Sequence, residues 1–433
     1  MDSPTRSGRS ALHDPEPCNP DGRPYFRNFD PTGLPSPAFV VDRAAVEHNL
    51  RILRDTADAS GARMLLALKA FALPGMMDLV DRYLDGACAS GVYEARLGRE
   101  TLSGSVHSFA PAYSSGDLAL LLQLSDHISF NSLRHWVYHR DRPDAPITHP
   151  HGGPSFGLRV NPEHSTGTVG IYDSCAPFSR LGITRTQLDA EAAKSPEAWA
   201  GISGLHMHTL CESDAAALAE TVAALESRFG DILSRPEITW LNLGGGHHIT
   251  RPDYDRDRLI RIVRRLSRRY KLQIILEPGE AAVIHSGVLV ATVLDLPRNG
   301  MDLAILDTSA TAHMPDTLEM PYRPEIWGAS PPGAAAHTYR LGGQTCLAGD
   351  VIGDYSFDHP LQVGDRLVFD DMSHYTMVKT TTFNGIPLPS ICAYDSHSGH
   401  LTPLRTPSYE DFRNRLGDPG DTTPAPVSLD ADG

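Results

Sequence analysis

Four groups of residues have types and spacings that suit chemistry. Lys69 ends one apolar run, His206 and His208 alternate along a second, LNLGGGHH spans 241–248, and Glu277 ends a third run. A partly desolvated lysine amine attacks carbonyl groups, and glycine amides form a nest for a phosphate. Histidine stacks on planar rings or binds metals, whereas a carboxylate acts as a base or holds a protonated ring nitrogen.

Each group also has an ordinary structural interpretation. A lysine at a strand end commonly reaches water, three glycines form a flexible turn, and a strand histidine is commonly a buried structural residue. The glycines are not a Walker loop, since no Gly-Lys-Ser/Thr follows them. A metal-dependent hydrolase stays open from the residues alone, with its ligands drawn from His206, His208, His247 and His248.

The pattern of apolar runs predicts where these groups lie. Between about 64 and 285, eight candidate strands alternate with segments whose apolar residues are three and four positions apart. This alternation predicts an α/β fold with a parallel (β/α)8 barrel, and a doubly wound open sheet is the alternative. A barrel has its active site at the carboxyl ends of its strands, where Lys69, His208, 244–248 and 277–280 are all expected.

Composition predicts two structured domains between two tails. From 286 onwards the apolar runs are short, β-branched and separated by Gly, Pro and Asp, which is typical of an all-β domain. The segment 35–54 reads as one strand and one helix that can pair with this domain, and 132–154 looks like a surface insertion. The predicted ranges are a flexible N-terminal tail at 1–34, the barrel at 35–285, the β domain at 286–414 and a C-terminal tail at 415–433.

Charge and composition exclude several classes of protein. The 433 residues carry a formal charge of −15, which repels nucleic acid. Neither a membrane-length apolar run nor a signal peptide is evident, so no membrane contact is expected. The basic stretch 256–271 reads as an outer helix with a solvated face. Six cysteines without a CxxC pair favour a reducing cytoplasm over a disulfide or zinc scaffold.

In their order along the chain, the motifs resemble those of the fold-type III pyridoxal-phosphate decarboxylases. Over roughly 36–400 these motifs are ALKAF, GLHMHTLCE, NLGGGHHITR, EPGEA, HMPD, CLAGD and YTMVKTTTFNG. Within that family the chain is most similar to the carboxynorspermidine/carboxyspermidine decarboxylases. The resemblance implies an alanine-racemase-like barrel followed by a β domain, with pyridoxal 5'-phosphate as cofactor. It also implies release of CO2 from carboxynorspermidine or carboxyspermidine in polyamine biosynthesis.

The resemblance implies a role for each site residue. Lys69 binds pyridoxal phosphate, His208 stacks on its ring, and Glu277 pairs with the ring nitrogen, since an opposite charge favours the protonated form. Cys346, contributed across a homodimer interface, donates the proton to the reacting carbon. The phosphate is held by Gly244, Gly245, Gly246, the backbone at Gly279 and the hydroxyl of Tyr375. The anionic contacts for the substrate are Glu280, Asp316 and Asp350.

The residue type at position 280 predicts the charge of the substrate's distal end. Diaminopimelate decarboxylases look similar but have EPGR, where the arginine suits a distal carboxylate. Glu280 reverses that charge and therefore suits an ammonium group. Leu210 and Cys211 stand where relatives for simpler amino acids have Gly-Ser. An alternative is that the substrate is another basic amino acid or carboxylated amine, because such a decarboxylase would have the same motifs. A non-catalytic relative is less favoured, because Lys69 and Cys346 are both present.

Overall fold

The computed structural model describes residues 25–142, 153–165 and 173–417. Most of the two predicted tails and the central part of the predicted insertion, at 143–152, lie outside these described residues. The described chain forms two sheets, one a parallel barrel and the other mixed. No helix in these ranges is long and apolar enough to cross a membrane.

The chain enters through strand β1 (Ala38–Asp42) and helix α1 (Arg43–Ser60). The side chain of Asp42 accepts a hydrogen bond from the Ala44 N–H and caps α1. Gly61 ends the helix with a φ of 79°, which is a backbone conformation that favours glycine. The chain then turns directly into the barrel.

Eight parallel strands close the barrel, as predicted. The first is interrupted at Leu65, and its two halves lie at opposite ends of the sheet path, which therefore closes on itself. The Leu65 N–H donates to the carbonyl oxygen of Leu276 at 2.9 Å across this seam. The strands are β2 (Arg63–Met64), β3 (Leu66–Ala67), β4 (Gly86–Ala89), β5 (Ser105–Phe109), β6 (His127–Phe130), β7 (Ser155–Arg159), β8 (Ile202–His206), β9 (Trp240–Asn242) and β10 (Gln273–Leu276).

Helices follow the strands around the barrel. The basic helix buries Leu259, Ile262, Val263 and Leu266, so its arginines lie on the outer face, as the apolar spacing predicts. The helix at 133–140 occupies the start of the predicted insertion, because Ser132 caps it and Leu133 and Trp136 are buried. The helices are α2 (Met77–Tyr83), α3 (Val92–Thr101), α4 (Ser115–Leu124), α5 (Leu133–Arg140), α6 (Arg185–Ala192), α7 (Ala215–Leu233), α8 (Arg256–Tyr270) and α9 (Glu280–Val283).

The second sheet combines the start of the chain with its C-terminal part. Strand β1, inside the range predicted for the barrel, pairs antiparallel with β11 (Gly287–Asp295) and parallel with β17 (Ser390–Asp395). All five of its residues are buried, since both of its edges and both of its faces are covered. The other elements are β12 (Arg298–Asn299), β13 (Met301–Leu306), α10 (Ala310–His313), α11 (Asp316–Glu319), β14 (His337–Gly342), β15 (Val351–Phe357), β16 (Arg366–Phe369), β18 (His400–Arg405) and α12 (Tyr409–Arg413).

Residues 25–34, which composition assigns to the N-terminal tail, contact this second sheet. Phe26 and Leu34 are buried beside Val40 and Tyr394, and the Phe26 ring is stacked on the Tyr394 ring at 5.9 Å. Burial of these apolar side chains stabilises the packed segment. The five described cysteines are free thiols.

Two imidazoles are stacked at the amino-terminal end of the barrel. The rings of His107 and His127 are 3.9 Å apart and nearly parallel, and Trp240 lies 4.9 Å from His127. Burial lowers the pKa of His127 to about 4 and that of His107 well below its ordinary value. Both rings are therefore neutral at pH 7 in the folded protein.

We expect the free energy of unfolding to fall as the pH is lowered from about 6.5 towards 4. In that range the unfolded histidines bind protons and the buried ones do not, which costs at most about 1.4 kcal/mol per unit of pKa difference. Urea unfolding midpoints between pH 4.5 and 7 measure the effect. His127→Phe should weaken the pH dependence of the unfolding midpoint, whereas His400→Phe, at an exposed site, should leave it unchanged. The same pH dependence in both variants would show that His127 does not cause the effect.

Candidate active site

The barrel brings the four predicted groups to the carboxyl ends of its strands. Lys69 follows β3 and His208 follows β8, while the glycines at 244–246 follow β9 and Glu277 follows β10. Because all eight strands are parallel, these positions share one end of the barrel. The co-location that the sequence predicts is therefore present.

His208 lies against Lys69 in a fixed orientation. Its Nε2 is 3.4 Å from the Lys69 Nζ, and its Nδ1 accepts a hydrogen bond from the Gly245 N–H at 3.0 Å. Arg159 and Ser174 both donate to the His208 carbonyl oxygen, at 2.9 and 2.7 Å. Burial, with the charge of Lys69, lowers the pKa of His208 well below its ordinary value. The imidazole is thus a neutral ring that suits stacking.

Glu277 is a buried carboxylate whose side-chain hydrogen bonds come from Asn242 and Cys88. Its Oε1 accepts a hydrogen bond from the Asn242 amide at 2.6 Å, and Asn242 also accepts from the Gly244 N–H. Its Oε2 is 3.7 Å from His206 Nε2, and neither ring nitrogen of His206 has a hydrogen-bond partner among the described residues. Burial raises the pKa of Glu277. A cationic N–H donor would stabilise its ionised form.

The glycine loop lies too close to neighbouring backbone for any side chain. A Cβ at Gly245 would lie 2.0 Å from the Glu277 carbonyl oxygen, and one at Gly246 would lie 1.9 Å from that of Leu210. Gly244 and Gly246 also have φ values of 70° and 83°, which L-residues rarely adopt. These constraints explain three successive glycines and leave an open cradle at the barrel mouth.

Gly279 and Tyr375 border the turn that carries Lys69. A Cβ at Gly279 would lie 2.8 Å from the Ala70 Cβ, and the Tyr375 N–H donates to the Ala70 carbonyl oxygen at 2.8 Å. Burial raises the pKa of Tyr375, with nearby Glu280 adding to the shift, so its hydroxyl remains protonated. The predicted phosphate ligands therefore surround the predicted lysine.

Glu280 lies between two imidazoles, one of which the sequence did not indicate. Its Oε1 is 3.0 Å from His248 Nε2 and 3.9 Å from His374 Nε2, and His374 is 3.3 Å from Asp371. Burial opposes the charge of Glu280, but His248 and His374 hold its pKa below the ordinary value. Burial also opposes protonation of His374, but Asp371 and Glu280 raise its pKa to about 9.

Asp316 begins α11 and is paired with a lysine. Lys379 Nζ lies 2.5 Å from an oxygen of Asp316 and 2.8 Å from one of Glu319. Lys379 belongs to the YTMVKTTTFNG motif, for which the sequence suggested no further role. The three side chains together carry a net charge of −1, which leaves the cluster attractive to one further cation.

Asp350 is placed differently from the other predicted substrate contacts. Only 4% of it is exposed, and it accepts hydrogen bonds from the Ser309 hydroxyl at 2.9 Å and the Thr345 hydroxyl at 2.6 Å. Backbone N–H groups of Thr311 and Thr345 donate to it as well. This carboxylate organises the loop before β15: its Oδ2 accepts three hydrogen bonds and its Oδ1 accepts one, from the Thr311 N–H at 3.3 Å.

Cys346 lies on the same loop with its side chain exposed. Its N–H donates to the Asn384 side-chain oxygen at 2.8 Å. Among the described residues, no hydrogen bond or ion pair joins Cys346 to Lys69, His208 or Glu277. An exposed thiol of this kind is accessible to a second copy of the chain.

The residues present fit pyridoxal phosphate. The site combines a lysine, a neutral imidazole, a buried carboxylate and a loop of three glycines whose backbone no side chain covers. Ligand atoms of His206, His208 and Glu277 also lie within 4.8 Å of one another, a spacing compatible with a metal ion. Among the described residues this group does not include His247 or His248, so the four-histidine metal set is not assembled.

Comparison with known proteins identifies the family. The family model described as pyridoxal-dependent decarboxylase, C-terminal sheet domain, matches residues 38–373. The chain is 46% identical over 388 residues to the carboxyaminopropylagmatine decarboxylase of Synechocystis sp., covering 89% of this chain and 96% of that one. It is 39% identical to the carboxynorspermidine/carboxyspermidine decarboxylase of Campylobacter jejuni, covering 88% and 98%.

Solved structures show the same fold. The carboxynorspermidine decarboxylase of Campylobacter jejuni, complexed with norspermidine, has a TM-score of 0.78 and covers 88% of this chain and all of its own. The diaminopimelate decarboxylase of Helicobacter pylori, at 15% identity, has a TM-score of 0.74 over 88% of this chain and 96% of its own. With this match in sequence, barrel and sheet, the chain belongs to the pyridoxal-dependent decarboxylases of the alanine-racemase-like fold.

Proposed function

We propose that this enzyme removes CO2 from the α-amino-acid end of a linear carboxylated polyamine, with pyridoxal phosphate held at Lys69. The observation that carries the proposal is the 3.4 Å contact of Lys69 with a neutral His208, above a barrel end that also holds Glu277. Pyridoxal phosphate, when bound, accepts the electron pair that departing CO2 leaves on the α-carbon. The chain's residues supply binding, orientation and protons.

Each side chain has a distinct task in this proposal. Lys69 is the residue that would hold the cofactor covalently through its Nζ amine. His208 would cover one face of the cofactor ring; the Gly245 N–H bond to its Nδ1 orients the imidazole, and Arg159 holds its backbone carbonyl. Glu277 would accept a hydrogen bond from the ring nitrogen, and the Tyr375 hydroxyl would donate one to the phosphate. A proton then reaches the reacting carbon from Cys346 of a second copy in a homodimer.

Acidic residues around the mouth select a polycation. Glu280 and Asp316 are the proposed contacts for ammonium groups, and Glu319 lies beside Asp316 around Lys379. The carboxylates of Glu280 and Asp316 both act electrostatically on Tyr375, and two anionic positions suit a long amine and repel a distal carboxylate. Asp350 is not included, because it is buried and already accepts hydrogen bonds from hydroxyl and backbone N–H groups.

Two substrate types satisfy this charge pattern. Carboxynorspermidine and carboxyspermidine follow from the motifs and from the 39% identical relative. Carboxyaminopropylagmatine is the second candidate, because the relative that bears this substrate in its name is 46% identical to this chain. Its guanidinium end would donate two parallel hydrogen bonds to one carboxylate. An ammonium end would instead interact with the carboxylate as a compact charge.

A substrate panel with mass detection of the amine products tests the proposal. We expect one of the three carboxylated polyamines to be decarboxylated with kcat/KM about 100-fold or more above that for diaminopimelate, lysine or ornithine, because a charge mismatch in the pocket is costly. Glu280→Arg should lower this preference, and Arg298→Glu on the exposed β12 is the control. Preference for diaminopimelate would refute the substrate class.

A further inference from the structure

Glu280 poses an electrostatic problem for the proposed cofactor site. It follows Gly279 of the phosphate cradle directly, and its carboxylate contacts His248, two residues beyond the last cradle glycine. A phosphate ester carries close to two negative charges at neutral pH. A carboxylate beside it would weaken phosphate binding unless a cation lies between or next to them.

Other cations in this region are already engaged. Arg251 reaches towards His248, but its guanidinium makes two hydrogen bonds to the exposed Asp253, at 3.0 and 2.8 Å. Lys379 is bound by Asp316 and Glu319. Two imidazoles face the Glu280 carboxylate, His248 at 3.0 Å and His374 at 3.9 Å, and His374 also has the Asp371 carboxylate at 3.3 Å to favour its charged form.

The surroundings of His374 favour its charged form from several elements. Asp371 lies 3.3 Å away on its own loop, Glu280 faces it from α9, and Glu212 acts on it from the loop after β8. Asp371 is held by the His285 N–H, which donates to its Oδ1 at 2.6 Å. The next residue, Tyr375, lies at the turn of Lys69 through its bond to Ala70.

We propose that His374, held between Asp371 and Glu280, is a positioning residue whose positive charge offsets the repulsion by Glu280, so that the cofactor's phosphate can bind beside it. The inference rests on the proposed function, because it concerns the cofactor of that same site. In this proposal the barrel supplies backbone groups for the phosphate, and the β domain supplies the charged imidazole of His374. With His374 charged, the cluster of His374, Asp371 and Glu280 carries a net charge of −1 instead of −2, so its repulsion of a phosphate is reduced while Glu280 stays ionised for the substrate's ammonium group.

The test compares pyridoxal phosphate with pyridoxal, which lacks the phosphate, in titrations of the apoenzyme followed by absorbance. His374→Gln should weaken binding of pyridoxal phosphate about tenfold or more and leave pyridoxal unchanged, because only the phosphate meets Glu280. His285→Gln is the matched control: this side chain also approaches Asp371, at 3.7 Å, but is 60% exposed. It should change neither affinity by more than about twofold.

A second substitution separates charge compensation from a structural role. Glu280→Gln removes the repulsion, so the double variant His374→Gln/Glu280→Gln should recover most of the lost affinity. Above about pH 9, wild-type affinity for pyridoxal phosphate should also fall relative to that for pyridoxal, since His374 loses its proton, and His374→Gln should lack this fall.

Several outcomes would overturn the inference. Equal weakening of pyridoxal and pyridoxal phosphate in His374→Gln would show a structural effect, and failure of Glu280→Gln to restore affinity would show that Glu280 is not the target. Unaltered affinity in His374→Gln would also overturn it. A wild-type chain that binds neither compound would instead refute the proposed function, so the two failures are distinguishable.

Discussion

Replacement of Lys69 by alanine is expected to abolish the absorbance of bound pyridoxal phosphate and to lower decarboxylation on the order of 10³-fold or more, because the covalent attachment point is lost. The substitution should be tolerated structurally, since the Lys69 side chain is exposed at the end of β3. Absorbance spectra and product formation by the purified variant measure both effects.

The chain offers a sharp internal control for this prediction. It has four lysines, Lys69, Lys194, Lys271 and Lys379. Borohydride reduction followed by peptide mapping should place a pyridoxyl group on Lys69 and leave the other three unmodified. Lys194→Ala, at an exposed site far along the chain, should keep wild-type spectra and activity. A pyridoxyl group on another lysine, or full activity of Lys69→Ala, would contradict the assignment.

Local sequence was sufficient to predict the barrel side of the site. Each predicted group there ends a short apolar strand, and parallel strands bring their carboxyl ends together. The three glycines at 244–246 were also predictable, although only the structure shows the close approach to Glu277 and Leu210 that requires them. Strand ends and turn residues are local features, and they need no knowledge of distant packing.

The β-domain side of the site depended on distant contacts and was harder to predict. Asp371 and His374 lie in a loop whose position is set by β16 and by the pairing of β11 with β1. Their contact with Glu280 joins segments far apart in the chain. The one available signal was a histidine directly before Tyr375 in an otherwise recognised motif.

Asp350 is a residue for which the residue type and the local geometry favour different roles. A carboxylate in the CLAGD motif looks available for an amine. In the structure Ser309 and Thr345 direct their hydroxyls at it, and the loop closes around it. Whether a buried carboxylate is free or occupied depends on such donors, and sequence alone does not place them.

Cys346→Ala is expected to reduce formation of the normal amine product by about 10²–10⁴-fold while the cofactor absorbance remains, because the variant lacks the group proposed to protonate the reacting carbon. The exposed position of Cys346, without contacts to Lys69 among the described residues, predicts that it acts in the site of a second copy. Product analysis by mass spectrometry measures the loss and any change in the product formed.

Mixing subunits tests this shared site most directly. When Lys69→Ala and Cys346→Ala subunits exchange, half of the dimers contain one copy of each, and one of their two sites has both residues intact. Activity should then return to about a quarter of the wild-type value. Cys392→Ala, buried in the second sheet, is the control and should bind cofactor and turn over normally. If Cys346 serves the site of its own subunit, every site in the mixture lacks one residue and activity stays absent.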